Sequence, residues 1–372
     1  MRKLIGRVQP YAWGSRTVLA ELTGRPSPAE GPEAELWLGA HEAAPAGVGD
    51  NTLDHVIADD PAGTLGADLA AHTGGRLPFL LKVLAPERAL SIQCHPDARQ
   101  ALDAVPGTYA DRSPKPEAVV PLTPFEMFAG MLPYDEIVAR LVSLKIPELH
   151  ALAAESLTAH DILAGILATP ADARPDLVER MLSALDGSHA VPDGVADALR
   201  SVAQDYPGDI GLIVLLTMQH RVEAPGSYLF VPAGVLHAYV RGAAIEILAN
   251  SDNVVRAGMT PKKIDVPELL RIVQVHRQMV SEVGERRGRV VRYPQSAEQF
   301  SLCLVDPGEE PAPVAVAGPR IVLALGGPVR VACDGEALAL AVGEAAFVEA
   351  AEGALTISGP GTAYVAAPGR PA

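Results

Sequence analysis

Aromatic side chains are scarce in this sequence, 4% of 372 residues, so a core must be built from Val, Leu, Ile and Ala. Cysteine is scarcer still: Cys94, Cys303 and Cys333 are the three present, and none lies in a CxxC pair. An odd count without pairing motifs argues against a disulfide framework or a thiolate metal cage and points to a reducing compartment. No apolar run approaches the roughly 20 residues of a membrane-spanning helix. The start, Met1-Arg2-Lys3-Leu4-Ile5-Gly6, lacks the apolar stretch of a secretory signal. A cytoplasmic protein is expected. Basic residues are outnumbered, 30 Lys and Arg against 45 Asp and Glu, for a net charge of -15. Nucleic acid and anionic membrane are therefore poor partners, because both need basic patches. A phosphate ligand would require positive charge gathered locally.

What is present suits a globular protein: 48% hydrophobic and 20% charged residues. Domains usually run to about 100–150 residues, so a chain of this length should hold two or three. Its texture changes twice. Up to about Met131 the sequence is broken by Gly and Pro, with short strands expected at Leu36-Trp37-Leu38-Gly39-Ala40 and at Pro78 to Leu84. From about Pro133 to Tyr206 the period becomes helical. Ile137, Leu141 and Leu144 share a face, as do Leu177, Met181 and Leu185, and then Val195, Leu199 and Val202. From about Ile210 strand texture returns, at Ser227 to Pro232 and Ala244 to Leu248, whereas Gly208 to His220 reads equally as helix or buried strand. The last hundred residues carry further strands, among them Arg320 to Leu325 and Ala345 to Val348. The expected fold is mainly β with a helical insertion. It comprises a catalytic barrel over 1–132 plus 207–266, helices over 133–206, and a second, smaller β domain over 267–372.

Three segments carry chemistry. In Ser91-Ile92-Gln93-Cys94-His95-Pro96-Asp97, a strand would place Gln93 and His95 on one face. Same-face polar groups inside a barrel need partners, because an unpaired buried polar group costs about 1–3 kcal/mol. A metal is one such partner, although most such histidines are simply hydrogen-bonded. In Pro114-Lys115-Pro116-Glu117 the two prolines extend the chain, so Lys115 and Glu117 face one way. Taken alone, that motif reads as a solvated loop. The third, PGxxxxVPxGxxH from Pro225 to His237, is more specific: a turn, a strand, a tight Pro-Ala-Gly bend, then a histidine turned back into a barrel.

The last pattern resembles the second metal-binding motif of cupins, double-stranded β-helix barrels of the jelly-roll kind. The combination resembles one family among them, the type I mannose-6-phosphate isomerases. The matching stretches are Gln9-Pro10-Tyr11-Ala12-Trp13-Gly14-Ser15, Glu35 to His41, Leu77 to Leu84, and Leu90-Ser91-Ile92-Gln93 with His95-Pro96. They continue with Lys115-Pro116-Glu117, Leu122-Thr123-Pro124-Phe125-Glu126, and Glu246-Ile247-Leu248 running into Ser251 to Gly258. The match covers the first 135 residues or so and again about 207–265. It fades in the helical insertion and further in the tail, where the family suggests a jelly-roll-like domain.

The resemblance implies one zinc ion on Gln93, His95, Glu117 and His237. It implies a catalytic arginine at Arg256, with Lys115 and Glu246 in the reaction and Lys82, Ser91 and Asp252 toward the substrate. The partner it implies is a phosphorylated hexose, and the enzyme is expected to be a monomer. The family usually has a histidine directly before the lysine of the KPE motif. Here that residue is Pro114, so no relay role of that histidine carries over.

The ligand set is chemically sensible in its own right. One amide oxygen, two imidazoles and one carboxylate leave a divalent ion near plus one, with open positions for substrate, as in catalytic zinc sites. Such ligands also admit other divalent metals. Isomerising an aldose to a ketose removes a proton beside a carbonyl and returns it to the neighbouring carbon, so a Lewis acid and a base are both needed. Lys115 is the first candidate base and Glu246 the second. Arg256 offers a planar fork for phosphate or an enediolate oxygen. Lys82 lies in an apolar run and could equally extend its amine to water. His41, His55, His150, His160, His189, His220 and His276 are read as ordinary polar residues. Two rival readings keep the fold: an iron-dependent cupin oxygenase, with no use for Arg256 or Lys115, and a non-catalytic sugar-binding cupin, which predicts a damaged ligand set although all four ligands are present.

Overall fold

A computed structural model describes residues 1–369 of the chain. It is mainly β, with helices gathered largely between residues 134 and 216. Its organisation follows from strands that are apolar on both faces. In the central seven-stranded sheet the order is Val280–Glu282, Tyr228–Val231, Glu117–Pro121, Ala244–Ala249, Phe79–Leu84, Glu35–Leu38 and Arg7–Gln9. All neighbours are antiparallel. Leu81, Val83, Ala118, Val120, Ile245 and Ile247 point to one side. There they pack on Ile321, Leu323, Phe347 and Tyr364 of the chain's C-terminal part. The alternate residues, among them Lys82, Glu117, Val119 and Glu246, point to the other side. Burial on both sides explains why Phe79–Leu84 reads as an almost unbroken apolar run.

Facing this sheet is a five-stranded one, ordered Met218–Glu223, Phe125–Met131, His237–Arg241, Ile92–Cys94 and Val255–Gly258. Ile92, Cys94, Phe128, Ala238, Val240 and Val255 point outward into the core shared with the helices. Gln93, His237, Tyr239 and Arg256 point inward to a cleft between the two sheets.

The expected helices form at Tyr134–Ser143, Arg174–Ala184 and Asp193–Asp205, joined by Pro147–Glu155 and Ala159–Leu167. The ambiguous segment resolves into both alternatives: helix Gly211–Leu216, then strand Met218–Glu223. Every residue of that helix is buried, so it has no polar face from which a period could be read. A region expected to be strand and turn instead holds three short helices, Leu53–Asp59, Pro61–Leu65 and Ala67–Thr73. Their pieces are cut by Asp60, which caps the second through the Gly63 N–H, and by Gly66 and Gly74 at positive φ. Each piece is too short to show a period.

The C-terminal strands form a seven-stranded sheet that packs against the central one and a four-stranded sheet behind it. The N-terminal strand Arg2–Leu4 belongs to the first of these, pairing with Ala345–Val348, while Val280–Glu282 extends the central sheet. The tail is thus stitched to the rest by strands lent in both directions. Among the described residues no helix is long and apolar enough to cross a membrane.

Phe347 is fully buried where the two seven-stranded sheets meet. Phe347→Ala should lower unfolding free energy by about 3–5 kcal/mol in a denaturant titration. A loss below about 1 kcal/mol would contradict packing between these sheets as a source of stability.

Candidate metal centre and its cleft

Strand register brings the polar residues together. Gln93 lies opposite His237 on one side and Arg256 on the other. In the facing sheet, Lys82 lies opposite both Trp37 and Glu246, and Leu248 lies opposite Glu117. The bend before His237 depends on Gly234, whose φ is +82°. A Cβ there would stand 2.8 Å from the Gln274 side chain and 3.1 Å from the Ile272 carbonyl oxygen. The Gly234 N–H donates to the His95 carbonyl at 2.9 Å, so the turn that delivers one histidine is tied to the strand carrying the other.

His95, Glu117 and His237 are almost wholly buried, at 2%, 3% and 3% exposure, and their ligand atoms all lie within 4.8 Å of one another. His95 Nδ1 is 2.8 Å from the Asn253 carbonyl oxygen and His237 Nδ1 is 3.0 Å from that of Val235. A carbonyl only accepts, so both Nδ1 atoms carry hydrogen and both Nε2 atoms turn toward Glu117. The separations are 3.1 Å from His95 Nε2 to Glu117 Oε2 and 3.0 Å from His237 Nε2 to Oε1. Although close to the carboxylate, His95 Nε2 makes no properly directed hydrogen bond and is sealed from solvent.

Burial drives the His95 imidazole down to about 4, against the pull of Glu117. It opposes charge on His237 as well, but there Glu117 and the Val235 carbonyl outweigh it and raise the pKa. Burial would raise Glu117, yet the two histidines hold it well below the carboxylate range. A lone pair, a carboxylate and a second imidazole converging in a dry pocket fit a divalent cation, and this nitrogen and oxygen set suits zinc. The Tyr239 hydroxyl donates to Glu117 Oε1 at 2.8 Å, fixing the carboxylate from the side.

These groups form the floor of a cleft of about 850 Å³. Gln93, Glu117, His237, Lys82, Ser91, Lys115, Glu246, Asp252 and Arg256 all line it, while His95 sits just behind the lining. The sequence-predicted site is therefore one place in space.

Lys82 does not reach for water. It is 7% exposed, with Nζ 3.1 Å from Glu246 Oε2, 3.6 Å from Glu35 Oε2 and 4.9 Å over the Trp37 ring. The Trp37 indole N–H donates to Glu35. Burial would lower the Lys82 pKa, but the two carboxylates raise it above the usual value. Burial first, and the neighbouring carboxylates of Glu117 and Glu35 after it, lift Glu246 above the carboxylate range despite the pull of Lys82. Lys115, half-buried, is lowered by burial. Arg256 is half-buried and makes no ion pair or hydrogen bond among the described residues; burial lowers it.

Sequence reasoning missed several residues in the cleft or beside it. His41, read as an ordinary polar residue, is 5% exposed, packs edge-on against Trp37 and holds Asp252, with Nε2 3.3 Å from Oδ1. Its Nδ1 accepts the Ala43 N–H, so Nε2 is the donor. Its place in the Glu35-to-His41 stretch was the available signal. Tyr239 also escaped notice, although it lies two residues past His237 and so on the same strand face. Arg88, Tyr206 and Lys262 line the cleft from distant segments and carried no local signal. His220, read as an ordinary polar residue, bonds Glu126 at 2.8 Å through Nε2.

Residues 1–134 match the family model for the phosphomannose isomerase type I catalytic domain. The mannose-6-phosphate isomerase of Escherichia coli K12 is 33% identical over 354 residues, covering 88% of this chain and 89% of that protein. The Homo sapiens enzyme of the same name is 34% identical over 304 residues, covering 72% of this chain and 71% of its own length. A phosphomannose isomerase variant from Salmonella typhimurium superposes with a TM-score of 0.90 at 30% identity, over 100% of both chains. A zinc-bound mannose 6-phosphate isomerase superposes at 0.88 and 30% identity, over 99% of each. The site and fold thus define a metal-binding β enzyme of the isomerase class. The chain belongs to the mannose-6-phosphate isomerase family.

Lys82→Met should cost about 3–5 kcal/mol at pH 8, because it strands Glu246 and Glu35 as buried, unpaired charges. The sign with pH is fixed by Glu246. Its folded pKa is already raised and rises further without Lys82, so the folded state takes up a proton as pH falls. The variant's deficit should therefore shrink between pH 8 and pH 5 in paired denaturant titrations. A deficit that grows toward pH 5 would contradict the charge network.

Proposed function

We propose that the chain interconverts mannose 6-phosphate and fructose 6-phosphate through an enediol, using one zinc ion held by Gln93, His95, Glu117 and His237. The observation that carries this reading is the triad His95, Glu117 and His237 on the floor of a cleft that also presents Lys115 and an Arg256 unpaired among the described residues. Membership in the isomerase family and a zinc-bound structural neighbour support it. Gln93 enters as fourth ligand because it lies opposite His237 and lines the same cleft.

Zinc, when bound, supplies a Lewis acid that stabilises negative charge developing on the sugar's oxygens. The residues of the chain do the rest. Lys115 takes the proton from the carbon beside the carbonyl and returns it to the neighbour, its lowered pKa making the neutral amine accessible. Glu246 ranks second as base because it is engaged with Lys82. Lys82, in turn, holds Glu246 and keeps positive charge at the cleft wall. Arg256 offers its fork to the phosphate or to the enediolate oxygen. Ser91 and Asp252 take sugar hydroxyls, with Asp252 steadied by His41. Pro114 carries no proton, so no relay passes through it.

In this reading the two facing sheets are a cupin jelly-roll barrel made by residues 1–132 and 207–266. Residues 133–206 are a helical insertion, and 267–372, of which 370–372 lie outside the described residues, a second, jelly-roll-like β domain. The enzyme acts as a cytoplasmic monomer on a phosphorylated hexose. Free, buried thiols at Cys94, Cys303 and Cys333 support a reducing setting. An iron-dependent oxygenase on the same fold would have no use for Lys115 and Arg256.

The test is elemental analysis of the purified protein together with fructose 6-phosphate formation from mannose 6-phosphate, with and without chelator. One zinc per chain and chelator-sensitive turnover are expected. Turnover that survives metal removal would sink the mechanism, and a zinc-loaded protein without turnover would sink the substrate. Lys115→Met should abolish exchange of the proton at the substrate's second carbon while zinc content persists. Retained exchange removes Lys115 from the role of base.

A further inference from the structure

The segment that delivers Lys115 and Glu117 to the cleft has no helix or strand between Asp103 and Glu117. Pro114 and Pro116 have no N–H with which to anchor it. One carboxylate takes that task. Asp111 accepts from Ser251 Oγ, at 2.9 Å to Oδ2 and 3.1 Å to Oδ1. It also accepts from the Ser113 N–H at 2.7 Å, the Asp252 N–H at 3.3 Å and Asn253 Nδ2 at 3.1 Å. The backbone of Asp111 joins in: its carbonyl accepts from Asn253 Nδ2 at 2.9 Å and its N–H donates to Asn253 Oδ1 at 3.2 Å. Asn253 Nδ2 also reaches the Ser113 carbonyl at 2.8 Å.

Asn253 is 1% exposed, and its own carbonyl is the acceptor for His95 Nδ1 at 2.8 Å. A continuous path therefore runs from the Asp111 carboxylate through the Asn253 side chain and carbonyl to the His95 ring. Groups that hold the second nitrogen of a metal-bound histidine set its tautomer and its aim.

We propose that Asp111 is a positioning residue for the metal centre. By clamping Asn253 it fixes the carbonyl that orients His95, and by the same bonds it sets the loop bearing Lys115. This rests on the reading of His95 as a metal ligand.

The probe is zinc alone, titrated against a chromogenic chelator without substrate, so catalysis does not enter the readout. Asp111→Ala should weaken zinc binding about 10–100-fold. Asn253→Ala, which keeps the backbone carbonyl but loses the clamp, should weaken it by a similar factor. The double variant should bind no more weakly than the worse single, because both lie on one path. His95→Ala is the reference. Unchanged affinity in a folded Asp111→Ala, beside a zinc-deficient His95→Ala, overturns the coupling alone. Unchanged affinity in both overturns the metal reading and the coupling with it. Should Asp111→Ala fail to fold, Ser251→Ala removes one donor and decides: weaker binding supports the clamp, and parental affinity overturns it.

Discussion

A carboxylate buried between two imidazoles governs this structure. Glu117 comes from one sheet and is met by His95 and His237 from the facing one. Each imidazole is pinned at Nδ1 by a backbone carbonyl, so neither can turn away. Three such groups, almost wholly buried at the floor of the cleft, are stable only when something positive satisfies them, and a metal does so where a single proton serves two nitrogens badly. The backbone is built around this demand. The bend at Gly234, the pairing of Gln93 with His237 and the Asn253 carbonyl are all parts of it.

The second constraint is charge. The protein is strongly acidic overall, at -15, whereas its cleft balances Lys82, Arg88, Lys115, Arg256 and Lys262 against Glu35, Glu117, Asp205, Glu246 and Asp252. Lys82 is engaged internally with Glu246 and Glu35, whereas Arg256 has no ion pair or hydrogen bond among the described residues. That division separates a cation that shapes the wall from one available to an anionic ligand. It can exist because the central sheet is buried on both sides, which fixes which face each polar side chain must take. A slip of one residue in register would carry Lys82, Glu117 and Glu246 into the apolar core beneath.

The candidate site was legible mainly through the family resemblance, which joined Gln93, His95, Glu117, His237 and Arg256; each short spacing was weak by itself. Gln93 with His95, Lys115 with Glu117, and the bend before His237 each follow from a period of two or from a turn. What could not be read is what depends on distant segments meeting. His41 looks like any polar residue until Asp252, far along the chain, comes within 3.3 Å of it. Asp111 is one acidic residue of a loop until Ser251 and Asn253 close on it. The fold shows the same limit. Amphipathic helices such as Asp193–Asp205 announced themselves, but Gly211–Leu216, buried all round, and the short pieces from Leu53 to Thr73 had no period to show. The lending of Arg2–Leu4 to the C-terminal sheet is a long-range pairing that no local pattern encodes.

The position of the metal is what the three ligands determine most directly. Crystals of the protein grown without added metal, with anomalous data collected across the zinc edge, measure this. A single zinc peak is predicted between His95 Nε2, His237 Nε2 and Glu117, at about 2.0–2.2 Å from each, with the Gln93 amide oxygen completing the protein ligands. A zinc peak elsewhere in a protein whose three ligands remain in contact with one another, or a fully active protein with no zinc peak at all, would contradict it.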